Sequence, residues 1–360
     1  MTMARRIGIL TSGGDCPGLN AAIRGVAKAA YRQIENVEII GIASGFHGLI
    51  HGDRKLMSQS DFSGILTIGG TILGTRRTPF KNMHIVEEDK IDKIANMKAN
   101  YKKMKLDCLL TLGGNGTHKT ANLLSNEGLN VIGLPKTIDN DIWGTDVTFG
   151  FHTAVDIATD VIDRVHTTAA SHGRVMVVEL MGNRAGWLTL YAGIAGGADV
   201  ILIPEIPYDI KSVIHSVAER AENGKAFSIV AIAEGAVNLE EAGMKRKSIR
   251  EQRSENGFIS AAQRLAQNIE LSTGMETKVV VPGYIQRGGI PSAYDRVLST
   301  QFGVQAAKLI ADEHFGVTVA LKNNEISYNE LKDVAFKLKS VPVPSPMVDT
   351  AKDMGLCFGE

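Results

Sequence analysis

Ile7-Gly-Ile-Leu-Thr-Ser-Gly-Gly-Asp-Cys-Pro-Gly-Leu-Asn20 is the stretch whose reading decides the fold. Ile7–Thr11 is a short apolar, β-branched run of strand type, and Gly18–Gln33 carries the apolar period of a helix. Glycines 13, 14 and 18 join them. Strand, glycine turn and helix form the opening unit of an α/β protein. Glycine lets backbone N–H groups approach a ligand closely, and a helix N-terminus favours an anion. A tight turn that binds nothing has the same composition, and on glycine content alone the two readings weigh equally.

Outward from this unit the alternation continues. Strand-like runs fall at Val37–Ile42, Cys108–Leu112, Val131–Leu134, Val175–Leu180, Val200–Ile203, Ser228–Ala233 and Lys278–Val281. Helical patterns fall at Asp89–Lys103, Phe151–Thr168, Trp187–Ile194, Lys211–Asn223, Gly257–Ser272 and Ser292–Glu313. Glycines are read as following strands at Gly13–Gly14, Gly69–Gly70, Gly113–Gly114, Gly182 and Gly288–Gly289, and the carboxyl ends of parallel strands are where such folds bind ligands. A break near residue 150 divides the pattern into two lobes with a cleft between them. The proline-rich tail from Val341 is expected to run extended over the surface.

At 360 residues two domains are the prior. Lysine plus arginine equals aspartate plus glutamate at 39 each, so the balance gives no support for nucleic acid or an anionic membrane as partner. Cys16, Cys108 and Cys357 form neither a CxxC pair nor a disulfide framework, which fits a reducing cytoplasm. No apolar run reaches the roughly 18 residues of a membrane span, and Met1–Ile7 reads as the lead into the first strand, not as a signal peptide.

Gly113-Gly114-Asn115-Gly116-Thr117-His118-Lys119-Thr120 lacks the Walker spacing, which needs glycine at His118, yet it can cradle phosphate after a strand. Pro135-Lys136-Thr137-Ile138-Asp139-Asn140-Asp141 is the strongest local signal. Asp139 and Asp141 project alike from an extended segment. One carboxylate suits proton acceptance and the other a metal that neutralises phosphate charge, with Lys136 adding a cation. The competing reading is an aspartate-rich turn that caps the helix after Phe149. Arg76, Arg77, Arg174, Arg184, Lys278 and Arg287 recur near glycine loops, where arginine's planar fork suits phosphate oxygens. His152, His166 and His172 lack metal-ligand spacing and are read as structural or solvent-facing.

The segments GGDCPGLNAAIRG, GGTILGTRR, LGGNGT, PKTIDND, MGNRAG, AIAEG and GYIQRGG stand in the order seen in the main phosphofructokinase family, which the chain resembles from Ile7 to about Ala307. The resemblance implies two Rossmann-like lobes with mainly parallel sheets and the active site between them. It implies a phosphoryl-donor lobe over 1–150 plus about 285–335, and a fructose 6-phosphate lobe over 151–284 plus about 336–360. It further implies transfer from ATP to the 1-hydroxyl of fructose 6-phosphate, Mg2+ as cofactor, and a homotetramer with sites shared between subunits.

By motif position, Asp139 is then the base, Thr137 orients the hydroxyl, and Asp141 lies beside the transferring phosphoryl group. Gly14, Arg76, Arg77, Gly113, Gly114, Asn115, Gly116, Thr117 and Lys136 hold the donor, with Arg77 bridging donor and acceptor phosphates. Met181, Gly182, Asn183, Arg184, Glu234, Tyr284 and Arg287 meet the sugar, and Arg174 and Lys278 reach its phosphate from the neighbouring subunit. Asn115 and Asp141 are the implied metal ligands.

Several positions depart from the pattern. Asn115 replaces the usual aspartate, Asn183 the usual arginine, and Lys278 and Tyr284 an arginine and a histidine. Gly116 is the residue of ATP users, whereas Lys136 is that of pyrophosphate users. Gly116 carries more weight because an aspartate there obstructs and repels the α-phosphate. Pyrophosphate is the alternative donor, and a non-catalytic sugar-phosphate or nucleotide sensor is the alternative of another class. A nicotinamide-dependent dehydrogenase lacks its GxGxxG spacing. Arg24, Lys28 and Lys225 suit an effector site, but His166 and Ala226 stand where basic residues are usual, so a weak or absent effector response is expected.

Overall fold

A computed structural model describes residues 4–86 and 90–360. The strands are β1 (Arg5–Ser12), β2 (Val37–Ile42), β3 (Arg54–Met57), β4 (Cys108–Gly113), β5 (Val131–Pro135), β6 (Val175–Leu180), β7 (Val200–Leu202), β8 (Ser228–Ala233), β9 (Thr277–Val280), β10 (Val317–Lys322) and β11 (Glu325–Glu330). The chain divides into two units, Met1–Thr153 with Arg287–Lys339, and Ala154–Gln286 with Ser340–Glu360.

In the first unit the described strands run β11-β10-β5-β4-β1-β2-β3. The inner pairs are parallel and the two edge pairs, β2/β3 and β10/β11, antiparallel. Every residue of β4 and β5 is buried, which is why they read as unbroken apolar runs and not as alternation. Leu10, Phe46, Leu109, Leu124 and Val131 pack in one core cluster. The helices Leu19–Gln33 and Ala293–Ala311 meet backbone to backbone: a Cβ on Gly303 would stand 2.4 Å from the Ala22 carbonyl oxygen. After β1 the chain crosses to β2 on one side, whereas β4 lies on the other. The loops leaving β1 and β4 therefore flank the switch point, where open α/β sheets leave a crevice.

The second unit has the described order β7-β8-β6-β9, parallel throughout. Val177, Val200, Val230, Ile232, Leu265 and Ile269 form its core. The helices Trp187–Ala195, Ile210–Glu222 and Ala261–Thr273 serve as connections. No helix of the described residues is long and apolar enough to cross a membrane.

The structure departs from the sequence reading at several places. β3, β10 and β11 and the helices Phe46–His51, Asn115–Asn126 and Arg246–Glu255 were not anticipated. The helix read from Gly257 begins at Ala261, and the one read from Phe151 to Thr168 continues to His172. The helix read from Asp89 begins at Lys93, Asp89 itself lying outside the described residues, as do Met1–Met3 of the lead-in. Gly69–Gly70 and Gly288–Gly289 follow the 3-10 turns Ile65–Thr67 and Gly283–Arg287, not strands. The tail keeps to an exposed stretch without helix or strand only over 342–344. Ser345 caps a helix over Pro346–Asp353 whose Val348 and Ala351 are buried, proline being well placed in the first turn. Beyond it, the Cys357 carbonyl accepts from Ile201 N at 2.9 Å, so the end of the chain extends the β7 edge.

Candidate functional site

Three loops leave adjacent strands of the first unit and are tied to one another. Lys136, which follows β5, is 3% exposed and donates from Nζ to the Gly14 carbonyl after β1. Burial pulls its ammonium below the usual lysine range, and Arg287 nearby acts in the same direction. Arg287 lies against the same glycine: a Cβ on Gly14 would stand 2.9 Å from its Nη1. A side chain on Gly14 would have to displace that guanidinium, the flexible end of a long side chain. The segment Ile68–Arg77 is bound to the β1 loop by side chains that sequence reasoning passed over. Asn20 accepts from Ile72 N at 2.8 Å, Thr11 donates to Gly74 O at 2.8 Å, and Thr75 donates to Gly13 O at 2.7 Å. Exposed Arg76 and Arg77 follow directly, with Arg76 Nη1 2.8 Å from His47 Nε2.

The acidic segment is held from both sides. Asp139 N donates to Thr137 Oγ1 at 3.1 Å, and Thr148 Oγ1 donates to Thr137 O at 2.7 Å. Asn140 takes a left-handed φ of 51°, and its Oδ1 accepts from Thr148 N and Lys339 Nζ, each at 3.1 Å. Asp139 is part-exposed and Asp141 buried. The helix that starts at Phe151 is not capped by these aspartates. Buried Asp295 accepts from Gly150 N at 2.9 Å and Thr153 N at 2.7 Å, which removes the capping reading of the motif.

Asn115, after β4, donates from Nδ2 to Asp141 Oδ2 at 2.7 Å. Burial raises the Asp141 carboxyl above the usual carboxylate range, and the Asn115 amide opposes that shift. Among the described residues no group of three His, Cys, Asp or Glu could hold a metal by itself. A carboxylate and an amide from neighbouring strands are the sparse oxygen set that Mg2+ takes when phosphates and water complete its shell, so the residues fit that ion.

Asn115 also opens the helix Asn115–Asn126 behind Gly114, so the N–H groups of Asn115, Gly116 and Thr117 have no acceptor within the helix. Gly116 has ordinary helical backbone, and a Cβ there would meet nothing within 4 Å. Neither conformation nor packing demands a glycine there. What it provides is open space above a helix N-terminus. Beneath it, His118 is buried; its Nδ1–H donates to Gly114 O at 3.0 Å, leaving Nε2 to accept from Thr318 Oγ1 at 2.9 Å. Burial pulls His118 down to about 4, so the ring is neutral.

In the second unit Met181–Arg184 leaves β6, Glu234 leaves β8, and Tyr284 follows β9, all at carboxyl ends. Met181 N donates to the buried Gln286 Oε1 at 3.2 Å, and Asn183 N to Glu234 Oε1 at 2.8 Å. Gly182 has φ 142° and Asn183 φ 52°, so the loop turns sharply and leaves Asn183 and Arg184 exposed. Arg174 and Lys278 are elsewhere. They flank Glu276, at 2.6 and 3.0 Å, where β6 and β9 begin. Seven residues separate Arg174 from Met181, about 23 Å along a strand. Arg24 and Lys28, of the expected effector set, line with Arg32 a surface cavity of about 700 Å3 in the first unit.

The phosphofructokinase family model matches residues 6–310. The chain is 57% identical to the ATP-dependent 6-phosphofructokinase of Spirochaeta thermophila over 99% of this chain and 98% of that one. It is 51% identical to ATP-dependent 6-phosphofructokinase 3 of Bacteroides thetaiotaomicron over 98% and 100%. Its fold superposes on phosphofructokinase from Saccharomyces cerevisiae with TM-score 0.79 and 29% identity, over 92% of this chain and 45% of the yeast chain.

Proposed function

The chain belongs to the phosphofructokinase family and carries out ATP-dependent phosphorylation of the 1-hydroxyl of fructose 6-phosphate, and from that premise we propose how its residues divide the work. The first unit binds the phosphoryl donor and the second the sugar phosphate. The observation that carries this is the tying of the Gly13, Gly113 and Lys136–Asp141 loops into one cluster at the switch point of the first sheet.

The helix N-terminus at Gly114–Thr117, with Arg76, Arg77 and Lys136, meets donor phosphates. Open space at Gly116 admits the nucleotide part of ATP. Asp139, held by the backbone bonds around Thr137, accepts the proton of the 1-hydroxyl. The oxygen so released forms its bond to the γ-phosphorus while the bond from that phosphorus to the bridging oxygen of ADP breaks, and the proton passes from Asp139 to solvent. Asn115 and Asp141 would hold Mg2+, which when bound neutralises phosphate charge. Arg77 bridges the two phosphates.

Met181, Gly182, Asn183, Arg184, Glu234 and Tyr284 form the sugar-phosphate contacts of the second unit. Arg174 stands about 23 Å along the strand from Met181, and Lys278, in register with Met176, about 17 Å, too far to serve one site within one chain. Their use therefore requires a neighbouring copy, the support for a homo-oligomer with shared sites. The test is formation of fructose 1,6-bisphosphate and ADP in equal amounts by the wild-type chain, lowered by about 10^2- to 10^4-fold in Asp139→Ser with fructose 6-phosphate binding retained. Turnover of wild-type order in that variant would remove Asp139 as the base.

A further inference from the structure

Arg246 is the first residue of the helix Arg246–Glu255, a segment absent from the sequence-level reading. Its Nη1 donates to Asn183 Oδ1 at 2.9 Å and its Nη2 to the Asn183 carbonyl. Asn183 adopts φ 52°, a left-handed conformation that asparagine tolerates better than most residues. Gly235 makes room for the contact, since a Cβ there would stand 2.7 Å from Arg246 Nη2 and 2.1 Å from the Asn183 carbonyl oxygen. Asparagine and glycine thus hold one guanidinium in one place.

The charge around that guanidinium is unbalanced. Arg253 of the same helix pairs with Glu241 at 2.7 Å, as does Arg264 at 2.8 Å. Arg246 is half-buried and has no ion pair among the described residues. Burial lowers its pKa, and Arg184, Arg250 and Arg253 lower it further, with only Glu234 opposing them. Two of the five N–H groups of a guanidinium are used on Asn183, which leaves donors for a ligand. A fixed, half-buried cation among like charges is a site for an anion.

We propose that Arg246, with Asn183 as its positioning residue, binds phosphate oxygens at the Met181–Arg184 loop of the sugar-phosphate site. The inference rests on the sugar-phosphate reading of the second unit. A charged hydrogen bond of this kind corresponds to a loss of about 10- to 100-fold when it is removed.

The experiment is steady-state kinetics of wild type, Arg246→Ala, Arg246→Lys, Asn183→Ala and the Asn183→Ala/Arg246→Ala double variant, with Lys247→Ala as a control on the same helix. The expected result is a fall in kcat/KM for fructose 6-phosphate of about 10- to 100-fold in R246A, partial recovery in R246K, and an unchanged KM for ATP. The double variant should be no worse than R246A alone, because Asn183 acts through Arg246. A rise in KM alone assigns the contact to the sugar's own phosphate; a fall in kcat alone assigns it to the phosphoryl group in transfer. A folded R246A with kcat/KM within twofold of wild type would overturn the proposal. If R246A does not fold, Arg246→Gln, which keeps the aliphatic stem but lacks the charge and the terminal N–H groups, is judged by the same criterion. No turnover by wild type would sink the kinase reading instead. The inference is then decided by the thermal shift induced by fructose 6-phosphate, and an equal shift in wild type and R246A would overturn it.

Discussion

The two units hold their polar residues in different ways. In the first, Lys136 reaches Gly14, Thr75 reaches Gly13, Asn115 reaches Asp141, and Asn140 is fastened to Thr148 and Lys339. The cluster is tied together within one chain. In the second, Arg184 and Arg246 lack ion pairs among the described residues, while Arg174 and Lys278 sit at the opposite end of the strands from Glu234. A preorganised donor cluster suits electrostatic work at a developing charge, because no reorganisation is needed during reaction. On the proposed division of labour, the cation-rich acceptor cluster, divided along its strands, is balanced by an anionic ligand and by a second copy.

The largest expected effect tests the completeness of the first unit. Asp139→Ser should lower kcat by about 10^2- to 10^4-fold while leaving sugar binding intact. Mixed with inactive Arg174→Ala/Lys278→Ala and reassembled, it should recover about a quarter of wild-type activity, since half the dimers are mixed and each holds one intact site. Absence of recovery after verified subunit exchange would place all site residues within one chain.

His118 lies under the donor loop and gives the next effect. Its folded value of about 4 against an ordinary 6.5 means that the fold favours the neutral ring. Its contribution is in place above pH 6.5 and is lost as the pH falls toward 4, because the unfolded chain takes up the proton first. The loss is roughly 3 kcal/mol. His118→Gln should remove about one proton from the pH dependence of unfolding across that window. A denaturation series from pH 4 to 7 with the same slope in both proteins would refute it.

The smallest effect sharpens the role of open space. Gly116→Asp should leave stability within about 0.5 kcal/mol, since the new side chain meets no neighbour in a helix first turn that favours an acid. Its kcat/KM for ATP should nevertheless fall by about tenfold or more, through repulsion of nucleotide phosphate. Equal loss of stability and activity would mean that Gly116 serves the fold.

The first unit was the more legible in sequence because its chemistry lies in contiguous motifs after buried strands. Pro135–Asp141 was read as an extended segment whose two carboxylates project alike; the structure places it at the end of β5 but turns it at Asn140, with φ 51°, so that Asp139 is part-exposed while Asp141 is buried. The capping alternative needed Asp295, which is 156 positions beyond Asp139, and no local pattern announces it. Asn20, Thr11 and Thr75 act through backbone carbonyls of another loop, a long-range role with no sequence signature. β10 and β11 had a signal that went unused: Asn323-Asn324, both at positive φ, is hairpin-turn chemistry between the two runs Val317–Lys322 and Glu325–Glu330. Arg246 was hidden differently. It lies in a charged helix 63 positions from its partner Asn183, and only folding shows that it is held on Asn183 and not, as Arg253 is, on a carboxylate.

The most direct test of the central claim is the initial rate on fructose 6-phosphate with magnesium, with ATP and pyrophosphate compared at matched concentrations. Faster turnover with ATP is the predicted result, with the space at Gly116 setting the donor and Lys136 tolerated beside it. Faster turnover with pyrophosphate would contradict it, and would mean that the buried Lys136 and not the open helix terminus decides what the first unit accepts.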